Sequence, residues 1–254
     1  MQALLVDAGN TRVAFAAWTP GDGHARRDGD RWVPPRPLQR LGALPTPGRD
    51  GETAFRTEAG RLLQAAGGAP VVLVSVVPRV SALLLDLAPA LLPADHRAAL
   101  PFEHRLADPA ATGADRLCNM AAAVAAGLRS ALVVDVGTAT TVDVLRDGVH
   151  EGGVIAPGMA FALQQIGTRA ARLAPVPFGP VPLVAGRDTA AALAAGGYHA
   201  GVGGVEALIA GLQGAHGPLP VVVTGGLAGC LQAPGRLLDP DWTLRGAARL
   251  YGIS

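Results

Sequence analysis

The chain has 254 residues, half of them hydrophobic, which is enough for one large domain or two of ordinary size with a substantial core. Its 21 basic and 20 acidic residues leave a formal net charge of +1, which argues against a general nucleic-acid or anionic-membrane surface. Apolar runs such as residues 71–77 are too short to span a bilayer, and Asp7 interrupts the first apolar run before it could act as a leader. Cys118 and Cys230 are too few and too far apart for a disulfide framework or a zinc knuckle, so a cytoplasmic protein is expected. Every basic residue is arginine. Without lysine there is neither a P-loop nor Schiff-base chemistry, and positive charge at a phosphate must come from Arg, backbone N–H groups or metal.

Taken in chain order, residues 4–6 form an apolar strand that runs into Asp7-Ala8-Gly9-Asn10-Thr11, and a second strand follows over 13–18. Gly21-Asp22-Gly23 signals a turn, and the Pro- and Arg-rich stretch 30–51 reads as containing a loop. Residues 52–66 have helical character, stopped by Gly67-Gly68. A buried strand over 71–77 is closed by Pro78, and a helix is expected over 79–92. Thr112-Gly113-Ala114-Asp115 opens an alanine-rich helix that Gly127 ends. A strand over 131–134 then runs into Asp135-Val136-Gly137-Thr138-Ala139-Thr140-Thr141. Strands over 141–145 and 151–155 flank a turn at Asp147-Gly148. Helices are expected over 159–173, 189–195 and around 205–212, and a last strand over 220–223 enters Thr224-Gly225-Gly226. Strands alternating with helices indicate an α/β protein. The repeated strand–loop–strand–turn–strand order indicates two copies of one mixed-sheet unit, residues 1–112 and 113–254, with the last residues free to pack back on the first half. This is the layout of a duplicated ribonuclease-H-like fold, as in actin-like ATPases and sugar kinases.

Each Asp-Gly loop suits phosphate chemistry. A backbone turning on glycine brings its N–H groups close to anionic oxygens, while the carboxylate can hold a hydrated cation. The loop from Asp135 adds hydroxyls from Thr138, Thr140 and Thr141, and Thr224-Gly225-Gly226 makes a third loop at a strand end, where ligands of α/β sheets collect. Each of these could instead be an ordinary polar turn. Asp115-Arg116 also reads two ways. Asp115 could stabilise the first turn of a helix. The alternative is that it accepts a proton from a substrate hydroxyl while Arg116 pairs with a substrate carboxylate, and the motif by itself favours the helix-turn role.

Together these segments closely resemble the type III pantothenate kinases. The resemblance rests on nine segments in family order. They are Asp7-Ala8-Gly9-Asn10-Thr11; Ser75-Val76-Val77-Pro78; Pro109 followed by Gly113-Ala114-Asp115-Arg116; the loop of residues 135–141; Gly152-Gly153-Val154-Ile155-Ala156-Pro157-Gly158; Gly186-Arg187-Asp188-Thr189; Gly203-Gly204-Val205-Glu206; Thr224-Gly225-Gly226; and Asp239-Pro240 with Leu244 and Gly246 nearby. Residues 19–70 offer little to match. The resemblance implies an actin-like two-domain fold with its active site in the cleft between the halves, working as a cytoplasmic homodimer. The implied reaction is phosphorylation of pantothenate by ATP to 4′-phosphopantothenate, the first step toward coenzyme A. Asp115 would be the general base. The ATP phosphates would meet Asp7, Ala8, Gly9, Asn10, Thr11, Arg12, Val13, Ala14 and Thr138, with Mg²⁺ or another divalent cation at Asp7. Asp135 would hold a monovalent cation, K⁺ or NH₄⁺. Leu106, Gly113, Ala114, Arg116 and Thr189 would line the pantothenate pocket.

Two positions depart from the family. The basic residue that often follows the first motif is replaced by Val13-Ala14-Phe15, with Arg12 as a substitute, and the usual Tyr three residues before Pro109 is Leu106. Two other functions remain in view. A catalytically lapsed homologue acting as a regulator has no chemical reason to keep Asp7, Asp115, Arg116 and Asp135 together. A kinase for another small alcohol would be signalled by Leu106.

Overall fold

The computed structural model describes residues 1–19, 23–28, 31–170 and 173–253. The chain begins with β1 (Ala3–Ala8), β2 (Arg12–Trp18), β3 (Arg26–Asp28), β4 (Arg31–Val33), β5 (Gln39–Pro45) and α1 (Glu52–Gln64). It continues through β6 (Val71–Ser75), α2 (Pro78–Leu87), β7 (Leu92–Pro93), β8 (Glu103–His104) and α3 (Ala114–Ala125). After these come β9 (Ala131–Val136), β10 (Ala139–Arg146), β11 (Val149–Pro157), α4 (Met159–Arg169) and α5 (Thr189–His216), and finally β12 (Val221–Thr224), β13 (Leu237–Leu238) and α6 (Trp242–Leu250).

Two sheets repeat one plan. The first is ordered β5-β2-β1-β6-β7 and the second β13-β12-β9-β10-β11-β8. In the first, β1 lies antiparallel to β2 and parallel to β6, and β6 lies parallel to β7. In the second, β9 lies antiparallel to β10 and parallel to β12, and β12 lies parallel to β13. Apart from the added edge strand β8, the two spatial orders are the same. Two compact units result. One comprises Met1–Arg129, Arg146–Glu151 and Asp241–Ser254; the other comprises Ser130–Leu145 and Gly152–Pro240.

Period-two alternation decides which residues enter each core. In the first unit, Leu4, Val6 and Ala8 of β1 and Val13 and Phe15 of β2 pack against Phe55, Leu62, Val80 and Leu84 of α1 and α2. The other face of this sheet is covered by α3 and α6, which pack on β6 and on each other. In the second unit, Leu132, Val134 and Val136 of β9, Val142 and Val144 of β10 and Val221 and Val223 of β12 pack against Val205 and Ile209 of α5.

The C-terminal α6 is sealed into the first unit by polar contacts. Asp241, 2% exposed, accepts a hydrogen bond from the Leu38 N–H at 2.8 Å and pairs with Arg40. Arg245, fully buried, donates to the carbonyls of Gly23 and Arg36, each at 2.6 Å. Trp242 donates to the Asn119 carbonyl of α3 at 3.0 Å, and Thr243 to the Asn119 side chain at 2.8 Å.

Several expectations are corrected. The loop expected within 30–51 is present over residues 34–38, but the same stretch also contains β5, a full partner of β2, which its Pro and Arg content conceals. The helices expected over 189–195 and around 205–212 are one helix, α5; the intervening glycines lower helix propensity without breaking the hydrogen-bonded ladder. The helix expected to reach residue 92 ends at Leu87, and 92–93 forms a short strand. The helix expected over 159–173 ends at Arg169. Residues 21 and 22 of the Gly21-Asp22-Gly23 turn, and 171 and 172 at the end of that expected helix, lie outside the described residues.

The α3–α6 crossing requires glycine at 246, because a Cβ there would stand 1.8 Å from the Cys118 carbonyl oxygen. Gly246→Ala is expected to cost about 3 kcal/mol of stability, from overpacking against backbone that cannot yield. The readout is a lower urea midpoint at an unchanged slope. A wild-type midpoint would show that the two helices do not meet at this residue.

Candidate active site

In the first unit, the alternation that turns Val6 and Ala8 toward α1 and α2 turns Asp7 toward the face covered by α3 and α6. The Asp7 carboxyl is pushed up to about 6, first by burial and then by the negative charge of Asp115; Arg12 and Arg40 oppose the rise. The turn that follows is tight and braced. Gly9 N–H donates to the Arg12 carbonyl at 2.9 Å, and the Thr46 hydroxyl donates to the Gly9 carbonyl at 2.6 Å. The Val76 N–H donates to the Ala8 carbonyl at 3.1 Å, which sets Ser75-Val76-Val77 beside the loop. Arg12 is exposed at the start of β2, whereas Val13 and Ala14 are buried within it.

Asp115 lies in the first turn of α3, whose N-cap is Gly113 with no side-chain cap. Thr112 does not cap the helix; its hydroxyl donates to the Asp108 carbonyl at 3.3 Å. One Asp115 oxygen accepts from the Arg116 N–H at 2.8 Å. A Cβ on Gly113 would stand 2.5 Å from that oxygen and 3.5 Å from Val76, so the missing side chain makes room for the carboxylate. Ala114 is buried, and Leu106 is half-buried in the loop after β8. Asp7, Gly113 and Asp115 therefore meet within one unit.

The second unit builds the matching loop at Asp135. The Gly137 N–H donates to the Ala139 carbonyl at 3.0 Å, and Gly158 N–H donates to the Thr138 carbonyl at 3.1 Å. Gly158 admits no side chain, since a Cβ would lie 2.3 Å from the Gly137 carbonyl oxygen. Gly225, at φ +90°, is equally constrained, with its Cβ position 2.6 Å from an Asp135 carboxylate oxygen. Two of the three glycine loops thus pack together here, around Asp135 and Thr138. Thr189 sits apart from them, exposed at the start of α5, where Asp188 caps the helix through the Ala191 N–H at 2.8 Å.

Two residues near Asp7 carry no local sequence signal. Arg40 and Thr46 come from β5 and its exit, and only strand pairing brings them to the loop. Asp143 is a third omission, a carboxylate 1% exposed on β10. As for cations, the Asp7 carboxyl is raised first by burial and then by Asp115, and Arg12 and Arg40 do not cancel that rise, so a cation is compatible with its surroundings. Among the described residues no three His, Cys, Asp or Glu side chains cluster as a metal-binding group, and no helix is long and apolar enough to cross a membrane.

A strand plan used twice, each copy with a carboxylate one residue from the end of its first strand, defines the duplicated ribonuclease-H-like fold of actin-like ATPases and sugar kinases. A structure described as a conserved putative Baf family transcriptional activator from Campylobacter jejuni shares this fold, with TM-score 0.59 at 19% identity over 98% of this chain and 97% of that one. The activator of 2-hydroxyisocaproyl-CoA dehydratase from Clostridium difficile, solved with ADPNP, does so with TM-score 0.51 at 12% identity over 100% and 94%. The family model described as type III pantothenate kinase matches residues 3–211. Type III pantothenate kinases of Phenylobacterium zucineum and Acidiphilium cryptum are 32% and 36% identical to the chain, over 98% and 96% of it and over 96% and 91% of their own lengths. The chain belongs to the type III pantothenate kinase family.

The Asp7 environment has a measurable consequence. Its folded pKa, about 6, lies above the ordinary 3.8, so the protonated carboxyl favours the folded state. That contribution is complete below about pH 4 and is lost as pH rises through 6. Asp7→Asn, neutral at every pH, is expected to raise the thermal midpoint of the metal-free protein at pH 8, and the gain should vanish toward pH 4. A gain that persisted unchanged at pH 4 would exclude an elevated Asp7 pKa as its source.

Proposed function

We propose that the chain transfers the γ-phosphoryl group of ATP to the 4′-hydroxyl of pantothenate, giving ADP and 4′-phosphopantothenate on the route to coenzyme A. Family membership supports the reaction. The observation that carries the site assignment is the meeting of Asp7 and Asp115, supplied by a strand end and a helix start, close enough for the charge of one to raise the pKa of the other.

Phosphoryl transfer proceeds through a loose transition state, so the protein mainly positions groups and balances charge. As the bond from the 4′-oxygen to γ-phosphorus forms and the β–γ bridge breaks, Asp115 accepts the alcohol proton. Arg116 pairs with the pantothenate carboxylate, and Gly113, Ala114, Leu106 and Thr189 line its pocket. The backbone of residues 8–12, the Arg12 side chain and Thr138 hold the ATP phosphates. Asp7 would hold a divalent cation and Asp135 a monovalent one, and these would add to the charge neutralisation that Arg12 and the backbone N–H groups provide in a chain without lysine. A cytoplasmic homodimer is part of the same reading. Exposed apolar side chains in the second unit, with Ile155 at 64%, Leu183 at 72% and Val184 at 66%, support burial against a second copy.

Asp115→Asn is expected to lower kcat by about 10²–10⁴-fold while ATP binding is kept. A coupled ADP-release assay with pantothenate, run in KCl and then in NaCl, measures this. Turnover that requires pantothenate and rises with K⁺ supports the kinase. ATP binding without turnover in the wild type favours a regulatory homologue, and full turnover by Asp115→Asn removes the base from that position.

A further inference from the structure

Four oxygen-bearing side chains share one face of the second sheet at its loop end. Asp135 on β9 is the Cα partner of Thr141 on β10 and also of Thr224 on β12. Partners on adjacent strands project from the same face about 5 Å apart, and residues two apart on a strand project together. Asp135 is therefore flanked by a hydroxyl on each side, with Asp143 one step further along β10. The opposite face is the apolar one, where Val134, Val136, Val142 and Val223 meet α5.

Both hydroxyls are buried and unsatisfied. Thr141 is 8% and Thr224 1% exposed, and neither hydroxyl oxygen has a hydrogen-bond partner. Buried polar atoms seldom remain so, and two of them bracketing a single carboxylate point to a ligand. A third unpaired hydroxyl, that of Thr140, belongs to the apolar face through its pairing with Val136 and stands outside this group. Glycines leave room for both carboxylates. A Cβ on Gly225 would lie 2.6 Å from an Asp135 oxygen, and one on Gly153 would lie 2.6 Å from an Asp143 oxygen.

The fold does not demand this arrangement. Asp7 holds the same place in the first sheet, and its partners there are Ala14 and Val74. Hydroxyl and carboxylate oxygens are ligands for a hard cation, with no nitrogen or sulfur donor among them. We propose that the Thr141 and Thr224 hydroxyls, with Asp143 as a second carboxylate, complete the ligand set of a monovalent cation bound at Asp135. This rests on the reading of Asp135 as the cation residue and extends it to three side chains.

The test uses the full chain without nucleotide, titrated with KCl against choline chloride at constant ionic strength. The thermal midpoint is followed, with thallium-205 NMR as a direct probe of binding. Wild type should be stabilised by K⁺ and should bind Tl⁺. Thr141→Val and Thr224→Val keep the side-chain volume and remove the oxygen; each should raise the K⁺ concentration for half-maximal stabilisation about tenfold. Asp143→Asn should act in the same direction, and Thr→Ser at either threonine should keep the wild-type response. Valine variants that respond like wild type, beside an Asp135→Asn variant that has lost its response, overturn the proposal and leave the Asp135 site standing. An undiminished K⁺ response in Asp135→Asn overturns that site and the proposal together. Stabilisation by Mg²⁺ without any by K⁺ overturns the monovalent assignment. If a valine variant does not fold, the serine variant decides, and a loss of response there also overturns the proposal.

Discussion

The seating of α6 against α3 is the contact on which the first unit's chemistry depends. At the crossing the two helices approach so closely that position 246 has no space for a side chain against the Cys118 carbonyl. Asp115 lies one turn before Cys118 on α3, so the crossing also fixes where the carboxylate stands relative to Asp7. The residue just before α6, Asp241, holds the start of β5 through the Leu38 N–H and pairs with Arg40. Arg40 is one of the two cations that restrain the rise of the Asp7 pKa. One buried helix thus governs both the anionic and the cationic neighbours of the same carboxylate.

Duplication supplies two equivalent frames, and side-chain divergence makes them unequal. The strand that opens each sheet has the same pattern of burial, with its aspartate the single half-exposed position. The residues paired directly with Asp7 are only Ala14 and Val74, and the charged groups come from the start of β2, from α3 and from β5. Around Asp135 the sheet itself offers oxygen. A cation at the first position would keep much of its own water, while one at the second would exchange water for protein oxygens. The backbone plan is shared, and four flanking side chains make the surroundings of the two aspartates chemically different.

The parts of this that could be read in the sequence are those that depend on short-range pattern. The strands around Asp7 and Asp135 announce themselves as apolar runs ending in Asp and Gly, and α3 as an alanine-rich segment after Gly113. The continuity of α5 could not be read, because its glycines resemble breaks until the hydrogen-bonded ladder is in place. Nor could β5, whose residues 39–45 become a strand only by pairing with β2. Within the site, Asp7 and Asp115 could be singled out from their own neighbours. Arg40, Thr46 and the flanking of Asp135 by Thr141 and Thr224 could not, since strand register alone creates those relations.

The last helix also has a consequence for the order of assembly. Residues 130–145 and 152–240 make up the second unit, whereas the first unit includes residues 241–254. During synthesis, therefore, the unit that starts later in the chain has all its residues first. At ordinary translation rates the ribosome takes roughly ten seconds between residue 129 and the end of α6. Through that interval the face of the first sheet that carries Asp7 lacks its α6 cover, and it remains open to chaperones and to premature contacts until the final turns of the chain emerge.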